Sequence, residues 1–131
     1  MTKEYLSVKS DLGKAKSLGS SAHGSHHWLM QRLSAILMIP LFLWAAYFFH
    51  AVSTLQYNEV LHVMKQPWNL VPMLLLLTTG LYHGMLGMQV VIEDYISCIK
   101  GRTFLIIMLK LFTYVTIFSM LVAAIYFLTK S

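Results

Sequence analysis

The stretch HGMLGMQVVIEDY, residues 83–95, places several chemically active groups in or beside a long apolar run. His83 lies inside the run, and Glu93, Asp94 and Tyr95 end it. Ionisable groups are costly in an apolar surrounding, so each of them is a functional candidate. An imidazole can hydrogen-bond a neighbouring helix or bind a metal through a ring nitrogen. A phenol next to a carboxylate can donate a hydrogen bond to a carbonyl oxygen.

The surroundings of His83 are compatible with two roles. Gly80, Gly84 and Gly87 follow the spacing of one helical face, and His83 precedes Gly87 by four residues. Such small residues permit close approach of a second helix, with His83 as a hydrogen-bonded packing residue. The small glycine residues equally leave room for a flat macrocycle such as haem. A haem iron accepts a neutral histidine nitrogen as a ligand, and lipid surroundings favour the neutral imidazole. No second axial ligand is evident in this chain, so the haem interpretation requires one from another subunit.

A second polar cluster, GSHHWLMQRLSA at residues 24–35, opens the first apolar run. Arg32 lies about one turn inside the apolar boundary. It can extend to lipid phosphates with Trp28 as an aromatic anchor. It can also bind an anionic group at shallow membrane depth, such as a haem propionate. Ser34 is typical of a helix-packing hydroxyl.

The polar end of residues 83–95 also has two interpretations. A tyrosine at a membrane boundary commonly belongs to the aromatic belt. Carboxylates at a helix C-terminus are less expected, since that end favours cations. Tyr95, held by a nearby carboxylate, could instead donate a hydrogen bond to a quinone carbonyl.

The composition indicates a membrane protein. Of 131 residues, 57% are hydrophobic and only 11% are charged, and the mean hydropathy is +0.64. A soluble domain has roughly 25% charged residues, and a chain this short cannot bury so much apolar surface in water. The net charge of +5 is scattered, which argues against nucleic-acid binding. The single cysteine, Cys98, excludes an internal disulfide or a cysteine-based zinc site.

Three apolar runs are long enough to cross a bilayer, which takes about 20 residues. The predicted spans are residues 28–50, 70–92 and 104–128. The predicted fold is therefore an all-α integral membrane protein, with a polar N-terminal segment at residues 1–23 and a three-helix transmembrane domain at residues 24–131. No cleavable signal is expected.

The distribution of lysine and arginine predicts the orientation, since cytoplasmic loops carry an excess of both. Four lysines precede the first span, and Lys100 and Arg102 lie in the second connection. The first connection has only Lys65 and the C-terminus only Lys130. The N-terminus and the second connection are thus predicted to be cytoplasmic, and Lys110 in the third span can extend toward the same side.

Two motifs carry a resemblance to a known family. The sequence GSHHWLMQRLSAI, followed by Pro40, and the sequence HGMLGMQVVIEDY resemble those of the hydrophobic membrane anchor subunits of succinate dehydrogenase (respiratory complex II), particularly the alphaproteobacterial and mitochondrial-like form. The three-span layout is similar too, so the resemblance covers roughly residues 24–128. The second motif is the more specific, with glycine four residues after the histidine and Asp-Tyr at eleven and twelve. The first 20 residues and His27 do not match, so roles for His26 and His27 are not implied.

The resemblance implies a complete assembly. The chain would pack with a second three-helix subunit, the cytochrome b subunit, and the two would share one b-type haem. His83 would be one axial ligand of the haem iron, with Arg32 near the propionates. Tyr95 would hydrogen-bond ubiquinone, with Asp94 in support. Flavoprotein and iron–sulfur subunits would oxidise succinate as part of the tricarboxylic acid cycle and pass the electrons to ubiquinone. This chain would not oxidise succinate itself.

Four alternatives stay open at this point. The chain could be the cytochrome b partner subunit or a fumarate reductase anchor. It could also be a cofactor-free structural membrane protein, or one module of a transporter. The expected location is a bacterial inner membrane, or the mitochondrial inner membrane if the source is organellar. His83 and Tyr95 would be about 18 Å apart along one helix, with the haem inside the bilayer and the quinone near its cytoplasmic boundary.

Overall fold

The computed structural model describes residues 20–130, with side chains from residue 25 onward. Over this range the chain is entirely helical apart from short connections. The helices are α1 (Ser20–Val52), α2 (Tyr57–Lys65), α3 (Pro67–Tyr95) and α4 (Ile99–Thr129). The predicted all-α class is confirmed. Most of the predicted polar segment 1–23 lies outside the described residues, and α1 begins at Ser20, before the predicted boundary.

Three of the four helices are long and apolar enough to cross a membrane, by length and composition: α1 from Ser25, α3 and α4. Each contains one of the predicted spans and extends a few residues beyond it at both ends. The extension is expected, because a helix satisfies its own backbone hydrogen bonds and need not stop at the apolar boundary. The chain is therefore a multi-pass membrane protein.

Helix α3 lies between α1 and α4 and packs against both. On α1 the buried residues Ser34, Leu41, Ala45 and Phe48 recur at helical spacing and form one stripe. Most large apolar side chains elsewhere are exposed in the isolated chain. Lipid or a partner helix must cover them, since so large an apolar surface is incompatible with water.

The connection between the first two spans contains the short helix α2, which the hydropathy pattern alone does not predict. Its start is stabilised by a hydrogen bond of 2.9 Å from the Gln56 backbone N–H to the Glu59 carboxylate. Pro67 then opens α3, where its missing N–H costs nothing. The Asn69 amide donates to the Val63 carbonyl at 2.9 Å and joins α3 to α2. The two spans are thus connected by a short, ordered helix of nine residues.

Candidate functional site

His83 is hydrogen-bonded to the neighbouring helix α1. Its Nδ1 lies 2.9 Å from Ser34 Oγ, and the Ser34 hydroxyl also donates to the Gln31 carbonyl at 2.9 Å. Ser34 is only 6% exposed because it belongs to the α1 stripe that packs on α3. The contact therefore follows from the packing of the two helices.

The two contacts of Ser34 together favour one tautomer of His83. A serine hydroxyl has one hydrogen, and the Gln31 carbonyl can only accept. When that hydrogen goes to Gln31, the Ser34 oxygen accepts from an Nδ1–H of His83. Nε2 then carries the lone pair of the neutral imidazole, and no hydrogen bond reaches it from the described residues. In metal-binding histidines, a hydrogen bond to the ring nitrogen that does not bind the metal orients the imidazole in this way.

His83 and Arg32 line the same cavity, of about 320 Å³. The rest of the lining is Trp28, Gln31 and Ala35. The four residues from α1 follow one another at spacings of three, one and three, so they form one face of that helix. The structure therefore brings together two of the four residues that the sequence analysis selected.

Arg32 gives this cavity a positive charge. Its guanidinium carbon lies 5.5 Å from the centroid of the Trp28 ring, a cation–π contact that restrains the side chain. Arg32 is exposed, and among the described residues no carboxylate forms an ion pair with it. The guanidinium is therefore available to an anionic group from outside this part of the chain.

The glycine face beside His83 is open. A Cβ added at Gly80 or Gly84 would meet nothing within 4 Å, whereas one at Gly87 would lie 3.6 Å from the Gln31 side-chain nitrogen. Gly87 thus adjoins α1, while a Cβ at Gly80 or Gly84 would have no neighbour in the described chain within 4 Å. The space is available to a flat group or to a helix of another subunit.

Tyr95 and Asp94 lie apart from the His83 cavity. Tyr95 is the last residue of α3 and is 81% exposed, and Asp94 is exposed as well. No hydrogen bond, ion pair or ring contact with another described residue involves either of them. Their neighbour Glu93 accepts a hydrogen bond of 2.8 Å from the Gln89 amide, one turn back along α3.

A second polar cavity, of about 310 Å³, lies where α1, α3 and α4 meet. The sequence pattern alone does not reveal this cavity. Its polar lining comes from all three helices: His26, His27, Tyr82, Gln89, Lys110 and Tyr114. The available signal was Lys110, a cation inside an apolar run.

Among the side chains that the structure describes, residues 25–130, no group of three or more histidine, cysteine, aspartate or glutamate residues could hold a metal ion. A protein-built metal centre of that kind is therefore absent from the described chain. A haem iron would differ, because the macrocycle supplies four ligands and a protein chain needs to contribute only one or two.

The fold and the site define an α-helical multi-pass membrane protein with one ordered imidazole inside its second span. A family model described as succinate dehydrogenase/fumarate reductase transmembrane subunit matches residues 7–127. The chain belongs to this family, and the resemblance noted from its two motifs is confirmed.

The relatives agree with that assignment. A protein of Rickettsia bellii is 49% identical over 118 residues, which are 90% of this chain and 94% of the relative. Proteins of Rickettsia prowazekii and Rickettsia typhi are 43% and 42% identical over the same shares of both chains. All three are named succinate dehydrogenase hydrophobic membrane anchor subunit. No solved structure matches the chain significantly.

Proposed function

We propose that this chain is the hydrophobic membrane anchor subunit of a succinate:ubiquinone oxidoreductase in a bacterial inner membrane. The family match, the names of the relatives and the three spans support this role. Its partners are a cytochrome b subunit, an iron–sulfur subunit and a flavoprotein subunit. The family description also covers fumarate reductase, but the relatives compared above are succinate dehydrogenase subunits. In this proposal the chain is a non-catalytic subunit of the enzyme, and it contributes part of the quinone site.

The hydrogen bond between His83 and Ser34 is the observation that carries the haem part of the proposal. His83 Nε2 binds the iron of a b-type haem, and the cytochrome b subunit contributes the other axial ligand. The open glycine face and the cavity shared with Arg32 fit a flat, anionic macrocycle. When bound, the haem supplies a one-electron redox centre within the membrane. The contribution of this chain is to hold a neutral imidazole in one tautomer and one orientation.

Arg32 binds a haem propionate in this proposal. Its guanidinium is exposed, restrained over Trp28 and free of any ion pair among the described residues. A carboxylate at shallow membrane depth is stabilised by such a cation, and the planar guanidinium can hold it in a bidentate manner.

Tyr95 donates a hydrogen bond to a carbonyl oxygen of ubiquinone, and Asp94 supports the site. Tyr95 is fully available at the end of α3, about 18 Å along the helix from His83. In the predicted orientation this end lies on the cytoplasmic side, where an iron–sulfur subunit docks. The remainder of the quinone site belongs to the partner subunits.

A cofactor-free packing role is the second candidate, and the same hydrogen bond favours it. Ser34 already satisfies one nitrogen of His83, as in a helix-packing histidine. Purification of the complete complex through a tag on this chain distinguishes the haem-binding role from the packing role. We expect flavoprotein, iron–sulfur and cytochrome b subunits together with a reduced b-type haem spectrum. An assembled complex without haem supports the packing role, and a chain purified without those subunits contradicts the anchor role.

A further inference from the structure

The second polar cavity is independent of the His83 cavity, since the two share no lining residue. It lies near the end of the bundle at which α1 begins, α3 ends and α4 begins. His27 comes from α1, Gln89 from α3, and Lys110 and Tyr114 from α4. Three separate helices thus direct polar residues to one space inside the spanning segments.

Lys110 is the only charged residue in the apolar part of α4, residues 104–128. It lies about 9 Å along the helix from Phe104 and is partly buried. Among the described residues no carboxylate pairs with it. An intramembrane cation is costly without a counter-charge, so this cavity calls for an anion.

His27 adds a second unsatisfied group. Its Nε2 is buried and has no hydrogen-bond partner in the described structure. A buried polar atom without a partner costs free energy that a ligand can recover. Extension of Lys110 toward the membrane surface accounts for the lysine alone and leaves the His27 nitrogen unexplained.

The available groups in this cavity are mainly donors. The Lys110 ammonium has no acceptor role, and the Tyr114 hydroxyl and an imidazole N–H can both donate. A phosphate monoanion is an acceptor that matches such a set, through charge-assisted hydrogen bonds. Part of the remaining wall is apolar, with Met30, Met85 and Leu86 beside the polar His26, Tyr82 and Gln89, and this apolar part suits the glycerol and acyl region next to a lipid phosphate.

We propose that this cavity binds the headgroup phosphate of an anionic membrane phospholipid. The bound group comes from lipid rather than from solution, because the cavity lies among spanning helices and part of its wall is apolar. Lys110 and His27 contact the phosphate, and Tyr114 supports it. The site does not depend on haem or quinone binding.

Native mass spectrometry of the full chain, purified in detergent with its accompanying subunits, tests the proposal. Dioleoyl phosphatidylglycerol is the probe. We expect one tightly retained lipid per chain, and about tenfold to a hundredfold weaker retention in Lys110→Met, from the loss of one charge-assisted hydrogen bond. Lys110→Arg should restore retention. Lys100→Met, an exposed lysine outside the cavity, is the matched control and should bind as the unmodified chain does.

Three outcomes would overturn the proposal. One is equal retention by Lys110→Met and the unmodified chain. Another is equal retention of dioleoylglycerol, which has the same acyl chains and no phosphate. The third is displacement of the lipid by millimolar inorganic phosphate, which would assign the cavity to a soluble anion. If Lys110→Met does not assemble, lipid retention by Tyr114→Phe is compared with that of the unmodified chain instead. This variant removes only the hydroxyl that supports the phosphate, and equal retention would overturn the proposal.

Discussion

Ser34 Oγ of α1 lies 2.9 Å from His83 Nδ1 of α3, across 49 residues of sequence. The pair joins the two helices that form the proposed haem-binding surface. Because Ser34 also donates to the Gln31 carbonyl, the pair favours the His83 tautomer whose Nε2 can bind a metal. The hydrogen bond between Ser34 and His83 therefore both packs α1 against α3 and orients the imidazole.

Substitution of Ser34 should alter the haem without removing its ligand. In Ser34→Ala the Nδ1–H loses its acceptor, so the imidazole can rotate or change tautomer. Loss of a hydrogen-bond partner that orients a metal-binding imidazole typically costs about 10- to 100-fold in metal affinity. We expect lower haem content and shifted electron paramagnetic resonance g-values, and recovery of both in Ser34→Thr.

Ser53→Ala is the matched control for Ser34. The Ser53 hydroxyl also donates to a carbonyl three residues back, that of His50, at 2.7 Å, but it contacts no imidazole. Its variant should show an unchanged haem signal. An equal change in both variants would mean that the effect comes from helix stability and not from His83.

His83→Ala should remove or strongly alter the b-type haem, because the iron loses one axial ligand. The measurement is the reduced-minus-oxidised spectrum and the haem-to-protein ratio of the purified complex. His50→Ala is the control, since His50 is exposed at the other end of α1. Unchanged haem content and spectrum in His83→Ala would eliminate the ligand assignment.

Arg32→Gln should lower the haem midpoint potential. A nearby positive charge stabilises the reduced iron relative to the oxidised iron, so its removal favours the oxidised form. The expected shift is on the order of tens of millivolts, measured by redox titration of the complex. Arg102→Gln, outside the cavity, should leave the potential unchanged. A shift of the same size in both variants would indicate a long-range charge effect rather than a propionate contact.

Gly84 tests whether the open face is occupied in the complex. Within the described chain an added Cβ meets nothing, so Gly84→Ala and Gly84→Leu should both leave this subunit folded. If a haem or a partner helix covers the face, the larger side chain should reduce haem content or co-purification of the cytochrome b subunit much more than alanine does. Full incorporation and assembly in Gly84→Leu would show that the face contacts only lipid.

The sequence predicts the spans well because bilayer thickness dictates the length of an apolar run. It selects His83 and Arg32 for a similar reason, since a titratable group in such a run is conspicuous. It does not predict the Ser34–His83 bond, which depends on the rotation of α1 against α3. That rotation is fixed by the packing stripe of α1, which becomes visible only when both helices are placed.

Two further features were missed for related reasons. Helix α2 has too few apolar residues for a span, and its start depends on a local hydrogen bond between Gln56 and Glu59. From the sequence of its own helix alone, Lys110 is predicted to extend toward the membrane surface. The cavity it lines requires His27 and Gln89 from two other helices, and no single-helix pattern contains that information.

Tyr95→Phe should slow electron transfer to ubiquinone while succinate oxidation continues. The substitution removes one donor to a quinone carbonyl and keeps the ring, so we expect up to about a tenfold lower succinate-to-ubiquinone rate. Reduction of an artificial acceptor at the flavin should be unchanged. Tyr57→Phe, an exposed tyrosine at the start of α2, is the control and should affect neither rate. Equal loss of both activities in Tyr95→Phe would indicate failed assembly, and full quinone activity would remove Tyr95 from the proposed site.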